Sequence, residues 1–496
     1  MNDKAIVCAC EDVTRRELED AIRAGYADVE SMKRYTGLGT GPCQGKSCLS
    51  AAMRLCAERA DLPEAAQVPF RARPPLSPTS LAAFAGMPDD VVRRRESPVP
   101  PPRSSAGVHP LQPREPLPAK ASVVIVGGGI MGLALAWNLA GRGESDVLVL
   151  ERGYLCEGAS GRNGGGVRAQ WTTPAHIELA KESIEFMGRF AQELGINVWL
   201  RRGGYLFLAH DERTLRMLEA GARLHRAHRL ATRIIDPGEA GDLVPELDTR
   251  KFVGASWNPD DGVVFPWPFL WGYAHGARKR GARVETFTRV TGLEVEGGAV
   301  RAVRTDRGTV RADRVVLACG AWSPAIAAMA GVALPNVPYR HEIVSSEPLK
   351  PFLGPLVTMM GTGLYFSQSM RGEIVGGMGD PDEPAGLNQT SSLRFLVRYS
   401  RALTELVPRL AQVKLLRQWA GCYDVTPDHS PILGETPGVR GLLQMSGFVG
   451  HGFMMAPAVA RRMAEWMGGA RDELFERFNV SRFAEGRFEK ETLIIG

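Results

Sequence analysis

Two groups of residues in this chain have the types and spacing that chemistry needs. The first is four cysteines: Cys8 and Cys10 form C-x-C, and Cys43 and Cys48 form C-x4-C. Two close pairs far apart in sequence suit a four-thiolate metal site, with each pair on a turn and the intervening helices bringing the turns together. The second pair lies in TGLGTGPCQGKSC (36–48), whose glycines let backbone N–H groups approach and donate to the sulfurs. Cys48 also opens a helix, where the dipole favours a thiolate. On residue types alone, structural zinc and four unrelated buried thiols remain alternatives. Cys56 falls outside the pattern and reads as a packed thiol of the following helix.

The second group is VVIVGGGIMG (123–132), an apolar strand running into G-x-G-x-x-G and a helix. Gly127 permits the tight turn, Gly129 lets a pyrophosphate reach the backbone, and Gly132 lets helix and strand pack closely. Glu151 ends the second strand, where an acid accepts from ribose hydroxyls. Strand, glycines, helix, strand and acid in register predict a dinucleotide site.

Both groups carry family resemblances. The cysteine stretch resembles the [2Fe-2S] module of the bacterioferritin-associated ferredoxin type, in the form found in amine and opine oxidase complexes and hydrogen cyanide synthase. That likeness implies a [2Fe-2S] cluster on Cys8, Cys10, Cys43 and Cys48. From Ala121 onward the chain resembles the D-amino-acid oxidase/sarcosine oxidase superfamily, and most closely its heterotetrameric β-subunit type. LCEGASGRNGGGV (155–167) is similar to the family's segment along the flavin, VVLACGAWS (315–323) to its strand beneath FAD, and GFVGHGF (447–453) to its flavin-binding loop. HEIVSSEPLK (341–350) and RQWAGCYDVTPD (417–428) look like the same subunit.

The resemblance implies FAD held by Gly127, Gly129, Gly132, Glu151, Arg152, Ser160, Arg162, Asn163, Gly164, Gly165, Val290, Gly320 and Trp322. It adds Gly447, Gly450, His451, Gly452, Phe453 and Met454, with helix N–H groups stabilising the reduced ring. It also places Arg168, Tyr365, Gln368 and His451 on the reacting side, where hydride transfer needs a neutral amine in a dry pocket. Three departures matter. Met454 stands where sarcosine oxidases hold the substrate carboxylate with Lys. Pro266 stands where the β-subunit type carries its flavin-linked His, and Cys422 is one position from the tethering Cys of monomeric relatives. FAD is therefore expected to be non-covalent; an FMN at a subunit interface is left open. Trp267 and Trp271, at helical spacing, are expected in the core.

These residues need elements to position them. Thr14 should cap a helix running to Ala24, with Leu18, Ala21 and Ile22 as its apolar stripe. Helices are also expected over 29–35 and 49–59, a short one over 80–84, and one over 456–467. Strands are expected over 122–126, 147–150, 204–209, 300–305 and 314–318. The fold class is α/β: a Rossmann-type, glutathione-reductase-like FAD domain, an interleaved α+β substrate domain of mixed antiparallel sheet, and a small helical N-terminal [2Fe-2S] domain. The expected division is 1–60 for the cluster domain, 61–120 for a proline-rich linker, 121–480 for the oxidoreductase and 481–496 for a polar tail. Within 121–480, the FAD part takes 121–202, 281–336 and 415–480, and the substrate part 203–280 and 337–414.

The chain has 496 residues, 44% hydrophobic and 23% charged, with a net charge of +5. Its arginines are scattered, Arg93–Arg95 included, so no basic patch argues for nucleic acid. No apolar run is long enough to span a membrane, and the N-terminus lacks a signal-peptide layout, so a cytoplasmic address is expected. The combined reading is a dehydrogenase subunit that oxidises a C–N bond of a secondary amine, amino acid or opine. Electrons would pass from FAD to the cluster and on to an unidentified acceptor, in a complex with an α-type flavoprotein subunit. Two alternatives remain: an autonomous oxidase releasing hydrogen peroxide, and a redox-sensing or assembly protein with a degenerate flavin site.

Overall fold

The structure, a computed structural model, describes residues 4–60, 68–70, 72–93 and 115–493. A hairpin of Ile6–Cys8 and Val13–Thr14 leads into three helices, α1 (Arg15–Arg23), α2 (Val29–Thr36) and α3 (Leu49–Ala60). The Thr14 side chain accepts from the Glu17 N–H and the Glu17 carboxylate accepts from the Thr14 N–H, a closed capping box. Leu18, Ala21 and Ile22 are buried as the stripe requires, and they pack with Met32, Leu38, Ala52 and Leu55. Cys56 is fully buried in α3.

The proline-rich segment does not run free along its whole length. Thr79–Ser80 forms an edge strand against Lys414 and Leu415. Beyond it, the helix Leu81–Ala85 buries Leu81 and Phe84 against the helix Leu393–Leu406. The prolines at 98, 100–102, 110 and 113, with Arg94 and Arg95, lie outside the described residues.

Two sheets build the rest. The first runs, edge to edge, Arg283–Glu285, Val147–Leu150, Lys120–Val126, Gly308–Leu317, Ala299–Thr305 and Val290–Glu296. Leu442–Ser446 also pairs with Gly308–Leu317, in parallel, and carries Ile432–Glu435. Its parallel centre explains the unbroken apolar runs, since helices cover these strands and their residues are buried. The second sheet has nine strands, in the order Thr79–Ser80, Lys414–Val425, Val337–Pro348, Glu373–Met378, Leu364–Gln368, Leu356–Met359, Tyr205–Ala209, Gly254–Asn258 and Arg233–Ile235.

Some expected boundaries shift. The helix Pro266–Lys279 was expected in the substrate part, yet Phe269, Leu270, Tyr273 and Ala274 bury into the core around the helix Ile130–Gly141. Trp271 is not core either: its ring meets Tyr35 at 4.8 Å and Tyr26 at 6.4 Å, against the N-terminal helices. The indole is amphipathic and serves an interface between units instead. The C-terminal tail is anchored. Buried Glu491 accepts from the N–H groups of Thr172 and Thr173, and the Leu493 carbonyl accepts from Arg168 at 2.6 Å. No helix among the described residues is long and apolar enough to cross a membrane.

Candidate active site

Where the two sheets meet, a cavity of about 390 Å³ opens. One end is a nucleotide cradle. Gly127, at φ 116°, faces Ala318 so closely that a Cβ would overlap its carbonyl, and a Cβ on Gly132 would overlap the Gly127 carbonyl oxygen. Gly132 therefore does not line the cavity; it lets helix and strand approach, as its place in the motif predicted. Gly129 precedes the helix and offers no capping side chain, which leaves the helix start open to an anion. Glu151 lines the cavity, and its carboxylate is oriented by the Gly128 N–H at 2.8 Å and the Gly153 N–H at 2.9 Å.

The predicted cofactor residues converge there. Ser160 accepts from the Ile130 N–H at 3.0 Å, and Asn163 accepts from the Gly165 N–H at 2.8 Å. Arg162 donates to the carbonyls of Glu157 and Ala420, and Arg152 lies over the Trp322 ring at 4.1 Å. Gly164, Gly165, Val290, Gly320, Gly450, Gly452, Phe453 and Met454 all line the cavity. Gly447 stands behind the wall, where its N–H donates to Asp424 at 2.5 Å and holds the loop. This shape and chemistry fit FAD.

Cys422 lines the cavity as well, but burial pushes its thiol up to about 12, so it is no nucleophile. Pro266 starts its helix behind Gly165. FAD should accordingly leave with the supernatant on acid precipitation; flavin fluorescence retained by the denatured chain on a gel would show a covalent link.

At the other end Arg168, Tyr205, His341, Tyr365, Ser367, Tyr423 and His451 face the cavity. Arg168 is fully buried, donates to the carbonyls of Gln170 and Leu493, and stacks on Trp171 at 3.7 Å. His451 lies 3.5 Å from the Arg168 guanidinium; burial, then this cation, holds it far below the ordinary imidazole range, hence neutral. Gln368, a predicted catalytic residue, is excluded from the cavity. Its oxygen accepts from the N–H groups of Phe352 and Leu353, and its nitrogen donates to the carbonyls of Leu349, Lys350 and Gly372. With its hydrogen-bonding capacity taken up by backbone, it holds a loop instead.

The sequence reading singled out neither His341 nor Tyr423. His341 Nε2 lies 3.0 Å from the Tyr365 hydroxyl, and its ring stacks on Tyr423 at 4.5 Å. Burial pulls His341 down to about 4 and pushes the Tyr365 phenol well above its usual range, so both are neutral near pH 7. Their signal in the sequence was membership of the two family-like stretches, His341 at the head of 341–350 and Tyr423 within 417–428. The depressed histidine has a consequence for stability. An unfolded histidine titrates near ~6.5; His341, and His176 likewise at about 4, stay neutral in the fold. The unfolded chain therefore takes up protons first, and stability present above about pH 6.5 is lost as pH falls toward about 4. The melting temperature should drop across that window, and His341→Phe should flatten the drop.

The four predicted ligand cysteines converge on a second location. Cys10 hydrogen-bonds with Cys43 and Cys8 with Cys48, and all four interact electrostatically. Cys8 and Cys48 are buried, Cys43 is half-buried and Cys10 is exposed. Among the described residues no group of three or more His, Cys, Asp and Glu is arranged to hold a metal ion. The loop carrying Cys43 abuts the second sheet, with Gln44 donating to the Leu416 carbonyl. Three residues along that strand, Trp419 donates to the Arg162 carbonyl at 2.8 Å, at the wall of the large cavity.

Residues 122–466 match the family model of the FAD-dependent oxidoreductases named DAO, and residues 2–87 match the sarcosine oxidase A3 domain. The chain is 32% identical to the sarcosine oxidase β subunit of Rhodobacter capsulatus, over 75% of this chain and 91% of the relative. It is 28% identical to the mitochondrial dimethylglycine dehydrogenase of Rattus norvegicus, over 73% of this chain and 45% of the relative. The crystal structure of L-proline dehydrogenase from P. horikoshii superposes with a TM-score of 0.72 at 34% identity, covering 75% of this chain and all of that one.

Proposed function

The chain belongs to the DAO family of FAD-dependent oxidoreductases and is an amine or amino-acid oxidoreductase, and from that premise we propose that it is a dehydrogenase for a secondary amine, N-methylated amino acid, proline-like or opine-like substrate, passing its electrons to a [2Fe-2S] centre on Cys8, Cys10, Cys43 and Cys48. Bound FAD supplies the hydride acceptor. The chain's own residues do the rest. The cradle from Gly127 to Asn163 holds the nucleotide, and the loop 447–453 closes over the other end. A neutral His341 next to the Tyr365 hydroxyl can relieve a substrate ammonium of its proton, leaving the free amine that hydride loss requires. Buried Arg168 offers positive potential to an anionic substrate group, while Met454 offers none.

The pairing of the cysteines carries the iron–sulfur part of this reading. A zinc ion wants four ligands around one point. Two irons bridged by sulfide want two thiolates each, four in all, and the pairs Cys10–Cys43 and Cys8–Cys48, which also interact with one another, supply that number. A heteromeric complex is part of the proposal, supported by the likeness to sarcosine oxidase subunits.

Anaerobically purified protein should contain about two irons per chain, show flavin bands above broad visible absorption, and give an EPR signal on reduction. Cys43→Ser should lose the iron and the signal but keep FAD. Zinc at one per chain, or a Cys43→Ser protein with unchanged iron, would refute the cluster. A panel of sarcosine, N,N-dimethylglycine, L-proline and an opine, scored by anaerobic flavin bleaching, tests the substrate class; bleaching by none of them would refute it.

A further inference from the structure

Lys33 sits in α2 with 6% of its surface exposed, and its ammonium forms no hydrogen bond or ion pair with any described residue. Lysine seldom accepts so buried a position, because its flexible stem usually carries the charge well out into water; here the contact found for the ammonium is the face of the Phe70 ring. Its surroundings make matters worse. Arg34, Arg73 and Arg417 all repel it, and Glu30, the acid acting on it from the same helix, is engaged by Arg34 at 2.8 Å. Burial draws the amine down to about 7 in the absence of an added anion.

The geometry sets this charge beside the cysteine loop. The Lys33 Nζ lies 4.2 Å from the centre of the Phe70 ring. The tip of that ring wedges between Gly39 and Gly45, both at positive φ, so tightly that a Cβ on either glycine would strike it. Those glycines flank Cys43. The ammonium thus stands one aromatic ring away from the cysteine loop, on its buried side.

We propose that Lys33 is the counter-charge of the four-cysteine centre and sets its reduction potential through the Phe70 ring. This rests on the iron–sulfur reading above. A [2Fe-2S] centre with four thiolates is a dianion when oxidised and a trianion after taking up one electron. A fixed positive charge nearby therefore favours the reduced state, and its removal lowers the midpoint. Lys33 is a positioning charge and touches neither substrate nor flavin.

The test is an EPR-monitored redox titration of the full-length protein carrying FAD and cluster, comparing wild type with Lys33→Met, Lys33→Gln and Lys33→Arg. The charge-removing variants should shift the one-electron reduction equilibrium by about tenfold toward the oxidised state, about 59 mV, while Lys33→Arg stays at the wild-type midpoint. If only the charge-removing variants fail to take up iron, that failure is itself the charge requirement. A midpoint unchanged in Lys33→Met or Lys33→Gln overturns the proposal, because the charge at position 33 then does not act on the centre. A Lys33→Arg protein that shifts as far as Lys33→Met, or that loses iron, also overturns it by making the effect one of packing. Wild-type protein with no EPR signal would instead sink the iron–sulfur reading beneath it.

Discussion

Tyr365→Phe is expected to slow anaerobic flavin reduction by about 10²-fold or more at neutral pH while leaving FAD bound. The argument starts from the substrate. An aliphatic amine is mostly protonated at pH 7, and an ammonium cannot give up hydride from the adjacent carbon. The cavity must therefore take a proton before the C–H bond breaks. Arg168 already carries its proton, and the guanidinium 3.5 Å from His451 opposes a second positive charge on that ring. His341 and Tyr365 are the pair left to do so: a neutral imidazole, with no guanidinium acting on it among the described residues, and a phenol 3.0 Å away. The strand Glu373–Met378 makes room for the ring, since Gly377 packs where a side chain would meet the Tyr365 hydroxyl. Phe keeps the ring and deletes the O–H. The slowed rate should recover at high pH, where substrate arrives as free amine, so the variant's pH profile moves to the alkaline side. His341→Phe should move it in the same direction. A Tyr365→Phe enzyme with wild-type rate and profile would mean that substrate binds already neutral and that the pair only shapes the pocket.

That pair also marks what the amino-acid sequence does and does not disclose. The cradle was legible because its demands are local: Gly127, Gly129, Gly132 and Glu151 sit within one strand–helix–strand unit, and sterics there admit little else. The cysteine convergence was legible from spacing, and the capped α1 from Thr14 and Glu17. His341, Tyr423 and Tyr205 come together only through strand pairing. The register sets His341 opposite Gly421, so that its ring reaches diagonally to Tyr423, two residues along. Nothing in 341 or 423 alone announces that contact. Gln368 misled for the opposite reason: the family resemblance carried it to the reacting side with Tyr365, but it lies three residues on, where its amide meets the loop of Phe352. The tail misled because its composition is polar, and polarity does not reveal that Glu491 is buried against Thr172 and Thr173.

Reduced enzyme should react with oxygen at least about tenfold more slowly than with a one-electron dye, a barrier difference of about 1.4 kcal/mol. Oxygen takes its first electron as superoxide, and a cation beside the flavin stabilises that charge as it forms. The strand after Tyr365, Glu373–Met378, carries no lysine. No lysine is found among the described residues that line the cavity. Arg168, at the reacting end, is tied to the Gln170 and Leu493 carbonyls and stacked on Trp171, so its charge stays fixed where a substrate anion would meet it. In the proposed iron–sulfur reading, the path from Arg162 through Trp419 to Leu416 and Gln44 would be the exit for electrons toward the cysteine loop. Stopped-flow reoxidation of substrate-reduced protein compares the two acceptors directly. Cys43→Ser should be slower with the dye than wild type and unchanged with oxygen, since only the dye draws on the cysteine centre. If air-saturated buffer reoxidises the wild-type flavin as fast as the dye does, with peroxide formed in step, the chain is an oxidase and its cysteine centre serves the fold.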